Sequence, residues 1–149
     1  MLSKLMVPVA IILAMTFSTL APAQDQGEKN GEKNKELVLN FWRKVLESRH
    51  VELAGKYLAP GYIQHNPNVE TGLDGFVKFF SRFQPQPIQP ALKNPPIYAV
   101  TSGDRVILVF EHEATDPHDP SKKYKYNSFD MFRVADGKIQ EHWDGAMKQ

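Results

Sequence analysis

Asp130 stands in the middle of "NSFDMFRV", flanked by Phe129 and Met131, in a run whose other members suit a protein core. A carboxylate in such a place is costly unless it is paired or kept hydrated. Strand alternation sets Ser128, Asp130 and Phe132 on one face and Phe129, Met131 and Arg133 on the other. A direct local pair between Asp130 and Arg133 is therefore not expected. Asp130 needs another partner or a wet cavity, and a carboxylate in a cavity is a candidate general base.

Histidines are the natural companions of such a base, because an Asp–His pair moves protons near neutral pH. In "RVILVFEHE" the residues Val106, Leu108, Phe110 and His112 share one face. His112 is either a satisfied core histidine or the partner of Asp130. In "QHNP", His65 and Asn66 end an extended piece. They read either as a turn held by Asn and Pro or as part of a cavity wall. In "EHWD", Glu141 and Trp143 share a face with Ile139, and His142 and Asp144 share the other. Trp143 is a core residue or an aromatic wall for a flat ligand. Tyr62, Phe110 and Phe129 complete the candidate walls. Phe129 is the weakest of them, since alternation sends it away from Asp130.

Other chemistries lack their residues. Five histidines invite a metal, yet no H-E-x-x-H or other tight ligand spacing occurs. Only a fold that gathers His65, His112 and Asp130 would make a site from the candidates, and neither metal nor cofactor is expected. The absence of cysteine removes thiol catalysis, disulfides and Cys-ligated metals. There is no Gly-rich phosphate loop and no G-x-S-x-G elbow. The formal net charge is +1 with no basic stripe, so nucleic acid is not an expected partner.

The elements that must position these residues follow from periodicity. Residues 1–23 carry Lys4, then an apolar run, then Ala-Pro-Ala at 21–23. This is the layout of a secretory signal peptide cleaved after Ala23, implying a periplasmic or secreted protein with no membrane association after cleavage. Residues 24–35 are polar and Gly-containing and read as a flexible N-terminus. A single domain then spans 36–149. Leu37, Phe41 and Val45, with Val38, Trp42 and Leu46 beside them, predict a helix over 36–48. A short helix is predicted in "VELAGKYLA", ended by Pro60-Gly61, and a third from Leu73 to about Phe83, stopped by Pro85. Segment 84–96 holds five prolines and is expected to run extended over the surface. Two hairpins follow, one turning at Ser102-Gly103-Asp104 and one at Ala135-Asp136-Gly137. Helices first and antiparallel strands after predict an α+β fold, a curved antiparallel sheet wrapped around N-terminal helices as a cone open at one end.

"YIQHNP", the Gly-x-x-Gly of "TGLDGF" and "FDMFRVADGKIQEHWD" in this order resemble the SnoaL-like polyketide cyclase family, part of the superfamily of nuclear transport factor 2 and ketosteroid isomerase. The likeness spans roughly Glu36 to Asp144. It implies a cone-shaped α+β barrel, often a homodimer through the outer sheet face, with a deep apolar cavity. It implies aldol ring closure without metal or cofactor, an aspartate acting as acid and base with a histidine close by. The aspartate corresponds to Asp130, the histidine to His112, and the family's H-N-P to His65 and its neighbours. The Pro-rich segment 84–96 and the export signal depart from the family pattern. They give the chain its own cavity rim and argue against a polyketide substrate.

The expected activity is acid/base chemistry on a small apolar carbonyl compound, by aldol condensation, cyclisation or isomerisation. Asp130, His112 and His65 would be catalytic, and Tyr62, Asn66, Phe110, Phe129 and Trp143 would bind substrate. A non-catalytic periplasmic carrier using the same cavity is the main alternative. An interaction module with its cavity filled by side chains is the third.

Overall fold

The computed structural model describes residues 23–149. The expected signal peptide lies, but for Ala23, outside the described residues. Helix α1 (Ala23–Phe41) continues in wider π-type turns over Trp42–Glu47. The segment 24–35, read as flexible, is thus helical. Gly31 explains part of this: a methyl group there would come within 2.7 Å of Thr101 Oγ1, so the glycine lets the helix lie close on the sheet. The apolar stripe then does its expected work, burying Val38, Phe41 and Val45 completely. Among the described residues no helix is long and apolar enough to cross a membrane.

A 3₁₀ turn at Val51–Leu53 leads into the short α2 (Ala54–Tyr57). That helix stops earlier than its sequence suggests. Leu58 and Ala59 already belong to β1 (Leu58–Gln64), and Pro60-Gly61 lies inside this strand at an irregularity in its pairing. An edge strand with a bulge is where a proline is tolerated. Helix α3 (Leu73–Phe80) follows. Its two glycines have separate causes. Gly72 precedes the helix at φ 91°, a conformation that favours glycine. Gly75 packs so tightly that a methyl would lie 2.5 Å from the Glu70 carbonyl oxygen.

The remaining strands are β2 (Tyr98–Ser102), β3 (Arg105–Thr115), β4 (Lys123–Ala135) and β5 (Lys138–Trp143). Both hairpins form at the expected turns. Gly103, Asp136 and Gly137 take positive φ there, as two-residue turns between right-twisted strands require. The sheet order is β1-β5-β4-β3-β2. The sheet is mixed rather than wholly antiparallel, because β1 runs parallel to β5. A long connection through α3 and the strands separates those two, so parallel pairing is topologically accessible. The α+β arrangement and the cone of curved sheet around helices are as expected.

The core lies between α1, α3 and the inner sheet face. Phe41 meets Phe76 and Phe132 at ring-centroid distances of 5.7 and 6.2 Å, and Trp42 stacks on Phe110 at 4.5 Å. The Pro-rich segment has no regular secondary structure and is mostly exposed, and it is pinned to the end of the first helix. Arg43 Nη1 donates to Gln89 O at 2.6 Å, and the Glu47 carboxylate accepts from the amides of Lys93 and Asn94 at 2.9 Å.

Candidate active site

Asp130 lies on the inner face of β4, directly opposite the buried Leu108 of β3. Alternation has placed it as the sequence implied, with 9% of its surface exposed. It opens on a cavity of about 260 Å³. Phe41, Trp42 and Leu46 from the first helix, Val69, Phe76 and Phe80 around α3, and Phe132 from β4 supply apolar walls. The polar groups are Tyr62, Gln64, Asn66, Asp130, His142 and Asp144. Lys and Arg are missing from this lining.

The partner of Asp130 is His142, whose Nε2 lies 3.0 Å from Asp130 Oδ1. Both side chains are nearly buried. The expected histidine was another one, and the cause is a single residue. The turn sets Ala135 opposite Lys138 and Val134 opposite Ile139. The register then slips, so that Arg133 faces Glu141 and Phe132 faces His142. Gln140 is the extra residue of this bulge, and its Nε2 donates to Ala135 O at 2.9 Å. Simple alternation put Ile139 with Glu141 and Trp143. The bulge instead gives the inner face Ile139, His142 and Asp144.

The network fixes the tautomer of His142. The backbone amide of Asn66 donates to Gln64 Oε1 at 3.0 Å, which identifies that atom as the amide oxygen. Gln64 Nε2 therefore donates to Tyr62 Oη at 3.0 Å. His142 Nδ1, 2.9 Å from the same oxygen, must carry a proton. One further proton then lies between His142 Nε2 and Asp130 Oδ1, since two acceptors would otherwise face each other. Asp130 Oδ2 accepts no hydrogen bond from the described residues. Asp144 is held beside the pair: its Oδ2 accepts from Asn66 Nδ2 at 2.7 Å and its Oδ1 from the amide of Ala146 at 2.9 Å. Burial first, then the charges of Asp144 and Asp130, push the Tyr62 phenol well above its ordinary range. Tyr62 thus keeps its proton, and that O–H is not spent on Gln64.

Of the residues expected to act, Asp130, Tyr62 and Asn66 come together on the cavity. The others do not. His112 Nε2 meets Ser128 Oγ at 2.8 Å, and its ring stacks on Tyr126 at 5.0 Å. It sits four residues beyond Leu108, the residue opposite Asp130, and so about 13 Å along the strand. His65 lies on the other side of the sheet, stacked on Trp143 at 4.6 Å and 6°, with Nε2 donating to Glu141 Oε2 at 3.1 Å. Trp143 therefore does not wall this cavity. The bulge turned it outward. Phe129 is 59% exposed on the outer face. Phe110 is buried behind Trp42 and reaches the cavity only through it. His65, His112 and Asp130 are not brought together, and no residue of the Pro-rich segment lines the cavity. His142, Gln64 and Asp144 were the residues that sequence reasoning missed. The "HWD" triplet beside an Asp-Gly turn carried the signal, but only the bulge assigns its faces.

The sequence profile of the SnoaL-like polyketide cyclases matches residues 36–146, and the chain belongs to that family. No curated protein matches it. Among solved structures, a candidate polyketide cyclase from Acidithiobacillus ferrooxidans is 23% identical, with TM-score 0.54 over 75% of this chain and 86% of that one. An NTF2-like protein of unknown function from Burkholderia pseudomallei is 15% identical, with TM-score 0.54 over 77% and 91%. An LEH-like epoxide hydrolase from Mycobacterium tuberculosis is 13% identical, with TM-score 0.53 over 77% and 79%. At these identities the likeness establishes the fold.

Proposed function

We propose that this SnoaL-like protein is a cofactor-independent acid/base enzyme acting on a small apolar carbonyl compound. The observation that carries the reading is the buried Asp130–His142 pair, 3.0 Å apart, opening with Tyr62 on an aromatic-walled cavity. The cavity's 260 Å³ falls just below the usual range for drug-sized ligands, about 300–1,000 Å³. That size favours a substrate of one or two rings over a fused polyketide.

In this reading Asp130 Oδ2 takes the proton alpha to the carbonyl, while the proton on His142 Nε2 stabilises the carboxylate through Oδ1. The enolate oxygen accepts a hydrogen bond from the Tyr62 O–H. In an aldol step the enolate carbon bonds to a second carbonyl carbon, and Asp130 returns its proton to the new alkoxide. In an isomerisation the proton returns to a different carbon. Neither course consumes a reductant or oxidant.

Two further parts of the reading concern the whole protein. The N-terminal charge, apolar run and Ala-Pro-Ala support export to the periplasm or beyond. The outer sheet face supports a homodimer. Its rows Tyr98–Val109–Phe129 and Val100–Ile107–Met131–Trp143 run across neighbouring strands, and Tyr98, Val100 and Phe129 are 64%, 51% and 59% exposed.

Mass spectrometry of small molecules retained by the native protein, beside Asp130→Asn, tests the reading. A carbonyl compound held unconverted by the variant, with its product on the wild type, is the expected result. Equal retention of one unchanged compound by both proteins would make the protein a carrier and overturn it.

A further inference from the structure

The cavity holds more negative charge than a proton relay needs. One ligand atom each from Asp130, His142 and Asp144 can be chosen so that all lie within 4.8 Å of one another. His142 Nδ1–H is spent on Gln64 Oε1, so in the neutral ring the Nε2 lone pair points at a carboxylate. A proton or a cation must lie between them. Two carboxylates share the cavity, and no Lys or Arg side chain is in its lining to balance them. A divalent cation is a partner that two carboxylates and a neutral imidazole can hold together.

We propose that Asp130, His142 and Asp144 bind a divalent transition-metal ion of the zinc class in exchange for that proton. The surroundings have the form of an outer ligand shell. Gln64 receives the distal N–H of the histidine, and Asn66 Nδ2 holds one oxygen of Asp144 at 2.7 Å. Such contacts orient ligating groups and fix the imidazole tautomer. Asp130 Oδ2, free of other hydrogen bonds among the described residues, opens into the same space. Ligand atoms on a tetrahedral zinc ion lie about 3.3–3.6 Å apart, so a pair near the 4.8 Å limit closes by roughly an ångström or more on binding. One imidazole and two carboxylates suit zinc or manganese. With the ion in place Asp130 is a ligand and cannot take a proton. The metal would therefore regulate the site by inhibiting it. The proposal shares its cavity with the acid/base reading but does not depend on turnover there.

The test is calorimetric titration of the full protein, stripped with chelator, with Zn²⁺ alone. One-to-one binding is expected, weakened at least tenfold in Asp144→Asn and in His142→Gln. Gln64→Leu, which keeps all three ligands, should weaken it roughly 10- to 100-fold. Co²⁺ should give visible d–d bands in the wild type that are lost in the same variants. If His142→Gln fails to fold, Asp144→Asn and Gln64→Leu still decide. Absent binding, or binding equal in wild type and folded variants, overturns the proposal and assigns any zinc to surface histidines. Because no substrate is added, its failure is separate from any failure of the acid/base reading.

Discussion

Tyr62 is the residue whose hydrogen bonds make the sharpest claim. It accepts from Gln64 Nε2, and its own O–H is left for a ligand. Tyr62→Phe should lower kcat roughly 10²-fold, the scale of losing one oxyanion donor. It also leaves the Gln64 amide short of one acceptor, a cost of about 1–3 kcal/mol in the melting transition. Unchanged kcat with the expected loss of stability would make Tyr62 purely structural. The outer face offers a charge test. Hydrogen bonds from His65, then Arg133, hold the Glu141 carboxyl below its ordinary value. Since the folded value is the lower one, the stabilisation is present at neutral pH and is lost as pH falls through that value. The Tm gap between wild type and Glu141→Gln should therefore be open at pH 7 and close on acidification. A gap independent of pH would mean that the charge of Glu141 contributes nothing.

At the scale of elements, alternation along β4 was sufficient to turn Asp130 inward and Phe129 outward, because a regular strand has period two. The same rule failed on β5, where Gln140 adds one residue and exchanges the faces of His142 and Trp143. No local propensity announces that bulge, and the identity of the histidine was illegible for this reason. His112 looked equally good because it does share the inner face of β3. Its distance from Asp130 depends on cross-strand register, which only the assembled sheet supplies. Helix α3 gives an element-scale prediction. Gly75→Ala would force a methyl against the Glu70 carbonyl, costing about 1–3 kcal/mol as other overpacked sites do. Thermal melting checks this, and a neutral or stabilising result would mean that the Glu70 turn yields freely.

At the scale of the molecule, the cone was legible from the order of its parts: helical periodicity first, then two hairpins marked by Gly and Asp-Gly turns. The parallel pairing of β1 with β5 was not, since it joins segments far apart in sequence through a strand containing Pro60-Gly61. The helix over 24–35 was hidden for another reason. Its polar composition argues against order, whereas the close approach at Gly31 lays it on the sheet. The exposed apolar rows on the outer face predict self-association. Phe129→Glu should convert a dimer into a monomer by light scattering without altering the cavity. A wild type that is monomeric at micromolar concentration would contradict the dimer.

The central claim is that Asp130 removes a proton from carbon. Deuterium incorporation alpha to the carbonyl, followed by NMR in D₂O on a carbonyl compound the native protein retains, tests it most directly. Wild type should exchange that position at least about 10²-fold faster than Asp130→Asn. Equal exchange by the two folded proteins, or none by either, would contradict the account.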